Sequence, residues 1–562
     1  MTDIWFVGNT GVRNPLRIQD GLRVYAQSSL VGRIRGVPGA RALMRLLSER
    51  GVLNHDQGRD ATGSYGRKWR LVFNLNGFTY PCVEPGDGFE QSQLGPVDAL
   101  TPFGAAFLAA DTVPAVQECF LRAMSVPMKP LGGGRYFSPL RWTLAVLLKV
   151  EERTGSSAVS FLEFALCIQT SNPSFDLDEV ADRLLELRRR REQAPAKKKF
   201  DGQAYEQAGK DYPRKVSNFK EYADMNLRYL RACGLFQRKG RGIALVPEQQ
   251  VLARRLAALQ ISTAPLLERC RTLCQGPALP TDDAEVARAA LSGLLRQLEE
   301  RGIAYELSQF CLEDAAGLNR ARHTLEQRLA QDNELRYAAR QREQWAEICD
   351  YFALLEKRGG RRQYDEEVEI SVPKEEASAY LEWAAWRAFL ALGGLQNPPY
   401  AVRRFPVDQD LMPVNTAPGN GPDLVAEFDG FVIAIEVTLS ENSRQEAMEG
   451  EPVRRHVADL MLRYDKPVYG LFLANRIDSN TAETFRHGVW YTREDERLEV
   501  QIIPLTLAQF RAVLRALFTT GRASAAELVE LMKACGRFRS TCEAPAWKAA
   551  IQAQVDRLTA GA

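Results

Sequence analysis

From about residue 375 the chain alternates long helical periods with short apolar runs bounded by turn residues. The spacing predicts a helix over Glu375–Ala391, then strands Asp423–Phe428 and Phe431–Thr438 joined by a two-residue Asp429-Gly430 turn. A helix over roughly Ser443–Tyr464 follows. Strand Val468–Ala474, helix Thr481–His487, strand Val500–Pro504 and helix Thr506–Phe518 complete the pattern. The order α-β-β-α-β-α-β-α describes a layered α/β domain. Residues 251–357 are rich in Ala, Leu, Glu, Arg and Gln, with one marked break at Gly276-Pro277-Ala278-Leu279-Pro280. They predict a helical linker with no catalytic constellation.

The first 250 residues mix α and β signals. A helix through Lys220–Cys233 stops at Gly234, and Leu235–Lys239, Gly240-Arg241-Gly242 and Ile243–Val246 follow as a hairpin with a basic glycine tip. Helix then hairpin is the outline of a winged helix, whose helix enters a groove while its wing touches phosphate. A similar unit is expected earlier: helix Ala40–Arg50, a loop bearing Arg59, Arg67 and Lys68, then a strand Trp69–Leu75. Two ordinary αβ units with solvated basic loops fit the same pattern. An amphipathic helix from residue 178 leads into Arg188-Arg189-Arg190-Arg191 and Lys197-Lys198-Lys199, either a solvated face or a phosphate contact.

Charge separates the two halves. Net charge is +2, but residues 1–250 hold 35 Lys and Arg against 26 Asp and Glu, a balance of +9, which leaves −7 for the rest. A basic half suits a polyanion, and an acidic half suits divalent metal. No apolar run is long enough to span a membrane, and Met1–Val7 has no basic start before an apolar stretch, so a cytoplasmic protein without signal peptide is expected. The ten cysteines contain no CxxC pair; Cys270 and Cys274 are closest, and reduced buried thiols are expected rather than a zinc site.

The candidate chemistry centres on Pro422-Asp423 and Ile435-Glu436-Val437-Thr438. The hairpin between the two acids folds Glu436 back beside Asp423. Adjacent carboxylates repel unless a cation neutralises them, and Mg2+ favours a few carboxylates with water and substrate phosphate. Glu436 sits among Ile433, Ala434, Ile435 and Val437, where an unpaired carboxylate is costly. Glu382 and Glu449 either complete the metal shell or are surface helix residues. This is the outline of a PD-(D/E)xK nuclease core, with one departure: Thr438 stands where a lysine usually follows the second acid. That leaves the general base unassigned. Arg444, Arg455 and His456 lie nearby in sequence and read as structural helix residues, His456 seven positions from Glu449 on one helical face.

At these residues the chain resembles the AlwI family of type IIS restriction endonucleases, which includes large subunits of nicking endonucleases. The resemblance is carried by Ala417–Asp423, Glu436-Val437-Thr438, Met448–His456 and Ile502–Phe510, and further by Arg228–Arg231, Gly234-Leu235-Phe236 and Trp5-Phe6-Val7. It implies catalytic acids Asp423, Glu436, Glu449 and Glu382, with Asp423, Glu436, Val437 and Glu382 around Mg2+. It implies a multidomain α/β and α+β chain: two winged-helix-like recognition subdomains over 1–140 and 141–257, a helical linker over 258–357, and the nuclease domain over 358–562. Expected DNA contacts are Arg67, Lys68, Arg214, Lys215, Arg238, Lys239 and Arg241. The implied activity is recognition of a short asymmetric duplex site and Mg2+-dependent hydrolysis a few base pairs to one side. One nuclease domain cuts one strand, so a transient second copy or a small nuclease subunit is an expected partner, as is a companion DNA methyltransferase in a prokaryotic cell. A nicking large subunit and, less favoured, a non-cleaving DNA-binding protein are the alternatives.

Overall fold

The computed structural model describes residues 4–53, 62–211, 216–258, 261–363, 369–441 and 445–560. The chain divides into two compact units, Met1–Leu329 and Ala330–Ala562, and the division falls inside the span expected as a helical linker. Each unit has its own large apolar core. A smaller cluster joins helices Ala284–Glu300 and Ala315–Gln341 through Leu291, Leu294, Leu318 and Leu325.

In the first unit, helix Gly36–Glu49 matches its expectation, but residues 69–75 are not a strand. They belong to a helix, Ser64–Leu75. Trp69, Val72 and Phe73 fall at helical spacing and are all buried. Gly66 lets this helix approach Gly36–Glu49 closely, since a Cβ there would lie 1.8 Å from the Ala40 carbonyl oxygen. Tertiary packing has overridden the strand preference of Trp, Val and Phe.

The later helix and hairpin are present as expected. Helix Val216–Ala232 precedes antiparallel strands Phe236–Lys239 and Gly242–Leu245, paired from Phe236 with Leu245 to Lys239 with Gly242. Gly240 makes the turn with φ +56°, a conformation open to glycine. The arginine run ends helix Leu177–Gln193 and is largely paired within the unit. Arg188 bonds Glu163 at 2.8 Å, Arg189 bonds Glu186 at 2.7 Å, Arg191 bonds Asp201 at 2.7 Å, and Arg190 lies over Phe200. The helical stretch after residue 250 breaks at Gly276–Pro280 as expected, and again over residues 301–314, which the composition did not mark.

The second unit is built on a four-stranded mixed sheet. Strands β1 (Leu424–Glu427) and β2 (Val432–Thr438) form the expected hairpin; β3 (Val468–Ala474) and β4 (Ile502–Thr506) follow in parallel, so the spatial order is β1-β2-β3-β4. Val432, Ile433, Ala434 and Ile435 of β2 are fully buried, the continuous apolar run of a strand covered on both faces. Helix α1 (Ala377–Leu392) is buried almost all round, with Trp383, Trp386 and Phe389 in the core. Helix α2 (Glu451–Arg463) crosses from β2 to β3, and α3 (Ser479–His487) stands between β3 and β4. Helix α4 (Leu507–Thr519) follows β4. Lys466 Nζ closes the hairpin end, donating to Glu427 Oε1 at 2.8 Å and to the Phe428 carbonyl at 2.6 Å. Hairpins Gly360–Gln363 with Glu369–Val372 and Val489–Tyr491 with Arg497–Glu499, and helices Ala525–Gly536 and Ala544–Ala560, add elements the sequence pattern did not suggest. All ten cysteines are free, seven of them buried. Among the described residues no helix is long and apolar enough to cross a membrane.

Candidate active site

The β1–β2 register puts the acids together. Leu424 pairs with Ile435, so Asp423, one step earlier, stands opposite Glu436. The main chain fixes it: Val437 N–H donates to Asp423 Oδ2 at 2.8 Å. Alternation along β2 puts Glu436 on the face opposite to Ile435 and Val437. Its side chain is buried, with Oε1 2.6 Å from His456 Nδ1 on α2. Glu382, midway along α1, is buried as well and accepts the Ala417 N–H at 2.6 Å through Oε2. Ala417 belongs to the loop that leads into Asp423. Glu449 lies on the widened helical turn Glu446–Gly450 and takes a hydrogen bond from Thr438.

These four acids share one electrostatic environment. Burial raises the Glu436 pKa to about 8, and the Glu449 charge adds to the rise. Asp423 is held well above the ordinary carboxylate range by burial and then by Glu436, and Glu382 by burial and then by Asp423. Glu449 is raised by burial. Burial, aided by the Arg455 charge, depresses His456. The imidazole is therefore a neutral ring that shares one proton with Glu436 through Nδ1, and its buried Nε2 has no partner among the described residues.

Such carboxylates are the hard oxygen donors that a small divalent cation takes, and a cation offsets both the cost of burying their charge and their mutual repulsion. Val437 has only its main-chain carbonyl to offer. The donor set suits Mg2+ chemically, although among the described residues no three Asp, Glu, His or Cys side chains already converge in a metal-ligating arrangement.

Asp423 and Glu436 thus stand opposite each other with the Val437 N–H on Asp423, and Glu382 and Glu449 lie near enough for their charges and that pair's to interact. Of the basic neighbours, Arg455 pairs with Glu451 at 3.0 Å, and Arg444 lies outside the described residues. His456, read from the sequence as a helix residue, touches Glu436 directly. Arg404 gave no signal in the sequence reading, because only the folded loop 403–423 carries it beside the acids. Its guanidinium donates to the Pro422 carbonyl at 3.0 Å and to Asn420 Oδ1.

The expected DNA contacts belong to the first unit. Arg67 and Lys68 occupy the first turn of helix Ser64–Leu75 rather than a loop; Arg67 bonds the Thr62 carbonyl and Lys68 lies over Tyr65. Arg238, Lys239 and Arg241 are exposed at the hairpin tip, with Arg241 over the Phe161 ring. Arg59, Arg214 and Lys215 lie outside the described residues.

Comparison with known proteins defines the class to which this acid-lined sheet belongs: it is that of a restriction endonuclease. The AlwI restriction endonuclease family model matches residues 81–513, which is 433 of 562 positions, and the chain belongs to that family. Among solved structures, the small subunit (R.BspD6I2) of the heterodimeric restriction endonuclease R.BspD6I matches at 26% identity, over 37% of this chain and 98% of that one, with a TM-score of 0.29. No curated protein matches the chain significantly.

Proposed function

We propose that this nuclease is a type IIS enzyme, which reads a short asymmetric duplex site through its first unit and hydrolyses phosphodiester bonds a few base pairs away through its second. The observation that carries the reading is the strand register that sets Asp423 opposite Glu436, with the buried Glu382 and the half-buried Glu449 close enough for their charges to be felt there, in a restriction endonuclease. The hairpin with an acid on each strand supports a PD-(D/E)xK-type core in which Thr438 replaces the usual lysine.

Asp423, Glu436, Glu382 and the Val437 carbonyl would hold Mg2+. When bound, that ion makes water more acidic and offsets charge gathering on the phosphate. His456 orients Glu436 through the 2.6 Å bond, and the Val437 N–H orients Asp423. Glu449, tied to Thr438, would receive a proton from the attacking water. Water adds to phosphorus, the bond to the 3′ oxygen breaks, and that oxygen leaves with one proton gained.

The helix and hairpin at Val216–Leu245 support a winged-helix subdomain, with Arg238, Lys239 and Arg241 at phosphate and Arg67 and Lys68 as further contacts. The division at 140, 257 and 357 goes with this assignment. One such active site would cut one strand per chain, so double-strand cleavage would need a second copy or a small subunit. The same stoichiometry supports a second reading, a strand-specific nicking large subunit. A companion methyltransferase would protect the host's own sites.

The test is digestion of supercoiled plasmid with Mg2+, followed by run-off sequencing of the ends. Ends at a constant offset from one asymmetric sequence support the proposal, and open circles without linear product favour the nicking reading. Cuts at random positions or at branches contradict it.

A further inference from the structure

Arg404 neither holds nor orients any of the four acids by a hydrogen bond among the described residues. It sits where the acid cluster meets the loop leading into β1, and its placement is over-determined. The preceding residue, Arg403, bridges antiparallel to Leu424, the first residue of β1. Arg403 spends its guanidinium on the buried Glu334, with Nε 2.9 Å from Oε2, and on the Phe405 carbonyl at 2.6 Å. In extended backbone the next side chain points the other way. Arg404 therefore faces residues 420–423, where the carbonyl of Pro422, the residue before Asp423, accepts from Nη1 at 3.0 Å. Gly421 makes room for it: a Cβ at that position would lie 2.5 Å from Nη1 and 3.0 Å from Cζ.

The partners are what make this arginine unusual. Both of these acceptors, a carbonyl and an amide oxygen, are neutral. Among the described residues Arg404 forms no ion pair, although Glu382 and Glu436 both feel its charge. A half-buried guanidinium close to several acids ordinarily collapses onto one of them. Here neutral acceptors hold it back, and of its five N–H groups two are used in these bonds. The positive charge stays unpaired beside a site where the customary lysine is missing and Thr438 stands in its slot.

We infer that Arg404 is a catalytic residue of this nuclease, donating to the non-bridging oxygens of the scissile phosphate and supplying the positive charge that Thr438 cannot. The inference rests on the nuclease reading above. A planar fork of N–H donors matches a phosphate's oxygens, and a donor fixed in advance stabilises charge that grows during the reaction. Arg404 forms no covalent bond and transfers no proton; it stays protonated throughout.

The experiment uses the full-length protein on a duplex carrying its mapped site, with Mg2+ for cleavage and gel shift without Mg2+ for binding. Arg404→Ala is expected to lower the single-turnover rate about 10²-fold, the scale for losing one preorganised donor, with affinity and melting temperature unchanged. Arg404→Lys keeps the charge and loses the fork, so it should recover part of the rate. Gly421→Ala pushes the guanidinium off its perch and should lower the rate with Arg404 still present. A fall in kcat at constant KM separates loss at the reacting phosphate from loss of binding. Wild-type protein that cuts beside an Arg404→Ala variant that cuts equally overturns this inference alone. An Arg404→Ala variant that loses melting temperature and affinity in step with rate, with no recovery in Arg404→Lys, makes the residue structural and also overturns it. Wild-type protein that leaves the duplex intact overturns the nuclease reading and this one with it.

Discussion

His456 Nδ1 lies 2.6 Å from Glu436 Oε1, a contact between α2 and the central strand that spans 20 residues of sequence. It gives the second acid a fixed orientation without an added charge, since burial keeps the imidazole pKa low. The same imidazole is buried, and its other nitrogen faces no described partner.

Replacing His456 by Ala is expected to loosen Glu436 without removing any acid. Partners that orient a metal ligand are worth about 10–100-fold in metal affinity or activity. Cleavage rate against MgCl2 concentration should therefore shift to higher Mg2+ by a factor in that range. A variant with the wild-type Mg2+ dependence would refute the orienting role.

Glu436 also sets a pH dependence of stability in metal-free buffer. Its folded pKa is raised to about 8, whereas an unfolded glutamate titrates near about 4.3. Below both values the proton is held in both states and costs nothing. Between them the folded protein binds a proton the unfolded chain has released, so stability falls as pH rises, and the full penalty stands above the folded pKa. Glu436→Gln removes that penalty. In EDTA at pH 8.5 its melting temperature should exceed the wild type's, about 2–4 °C for each kcal/mol relieved, with the gap closing toward pH 5. Thermal melts across pH check this, and a lower melting temperature for the variant at pH 8.5 would be the wrong sign.

The exposed hairpin tip is expected to contribute charge rather than sequence reading. Substituting Arg238, Lys239 or Arg241 by Ala should each weaken duplex binding equally on cognate and unrelated sequences. Each should reduce the slope of log affinity against log salt by about 1. Fluorescence anisotropy at several salt concentrations measures it. A selective loss on the cognate site alone would move these residues to base contacts.

Gly66→Ala tests the helix crossing in the first unit. With the Ala40 carbonyl oxygen 1.8 Å from the added Cβ, neither backbone can stay in place. Overpacking of this kind costs about 1–3 kcal/mol, read from denaturant unfolding of the intact chain. Wild-type stability would mean that the two helices are not packed this closely.

The sheet of the second unit was legible because its signals are local. An apolar run, an Asp429-Gly430 turn and a second apolar run define β1 and β2, and the hairpin itself brings Asp423 opposite Glu436. Helix Ser64–Leu75 was hidden because Trp69, Val72 and Phe73 favour strands, and only close packing at Gly66 decides otherwise. His456 and Arg404 were hidden for another reason. Their neighbours depend on how α2 and the 403–423 loop return to the sheet, and hydrophobic periodicity carries no information about such long-range approach. The break at 301–314 lacks the paired prolines that marked 276–280, so composition alone gave it no boundary.

DNA cleavage is the activity proposed for the acids around Asp423 and Glu436. The most direct test is digestion of one supercoiled plasmid, with Mg2+, by wild-type protein and by Glu436→Ala. Discrete nicks or fragments from the wild type and none from the variant are the expected result. A variant that cuts as well as the wild type would place the active site elsewhere.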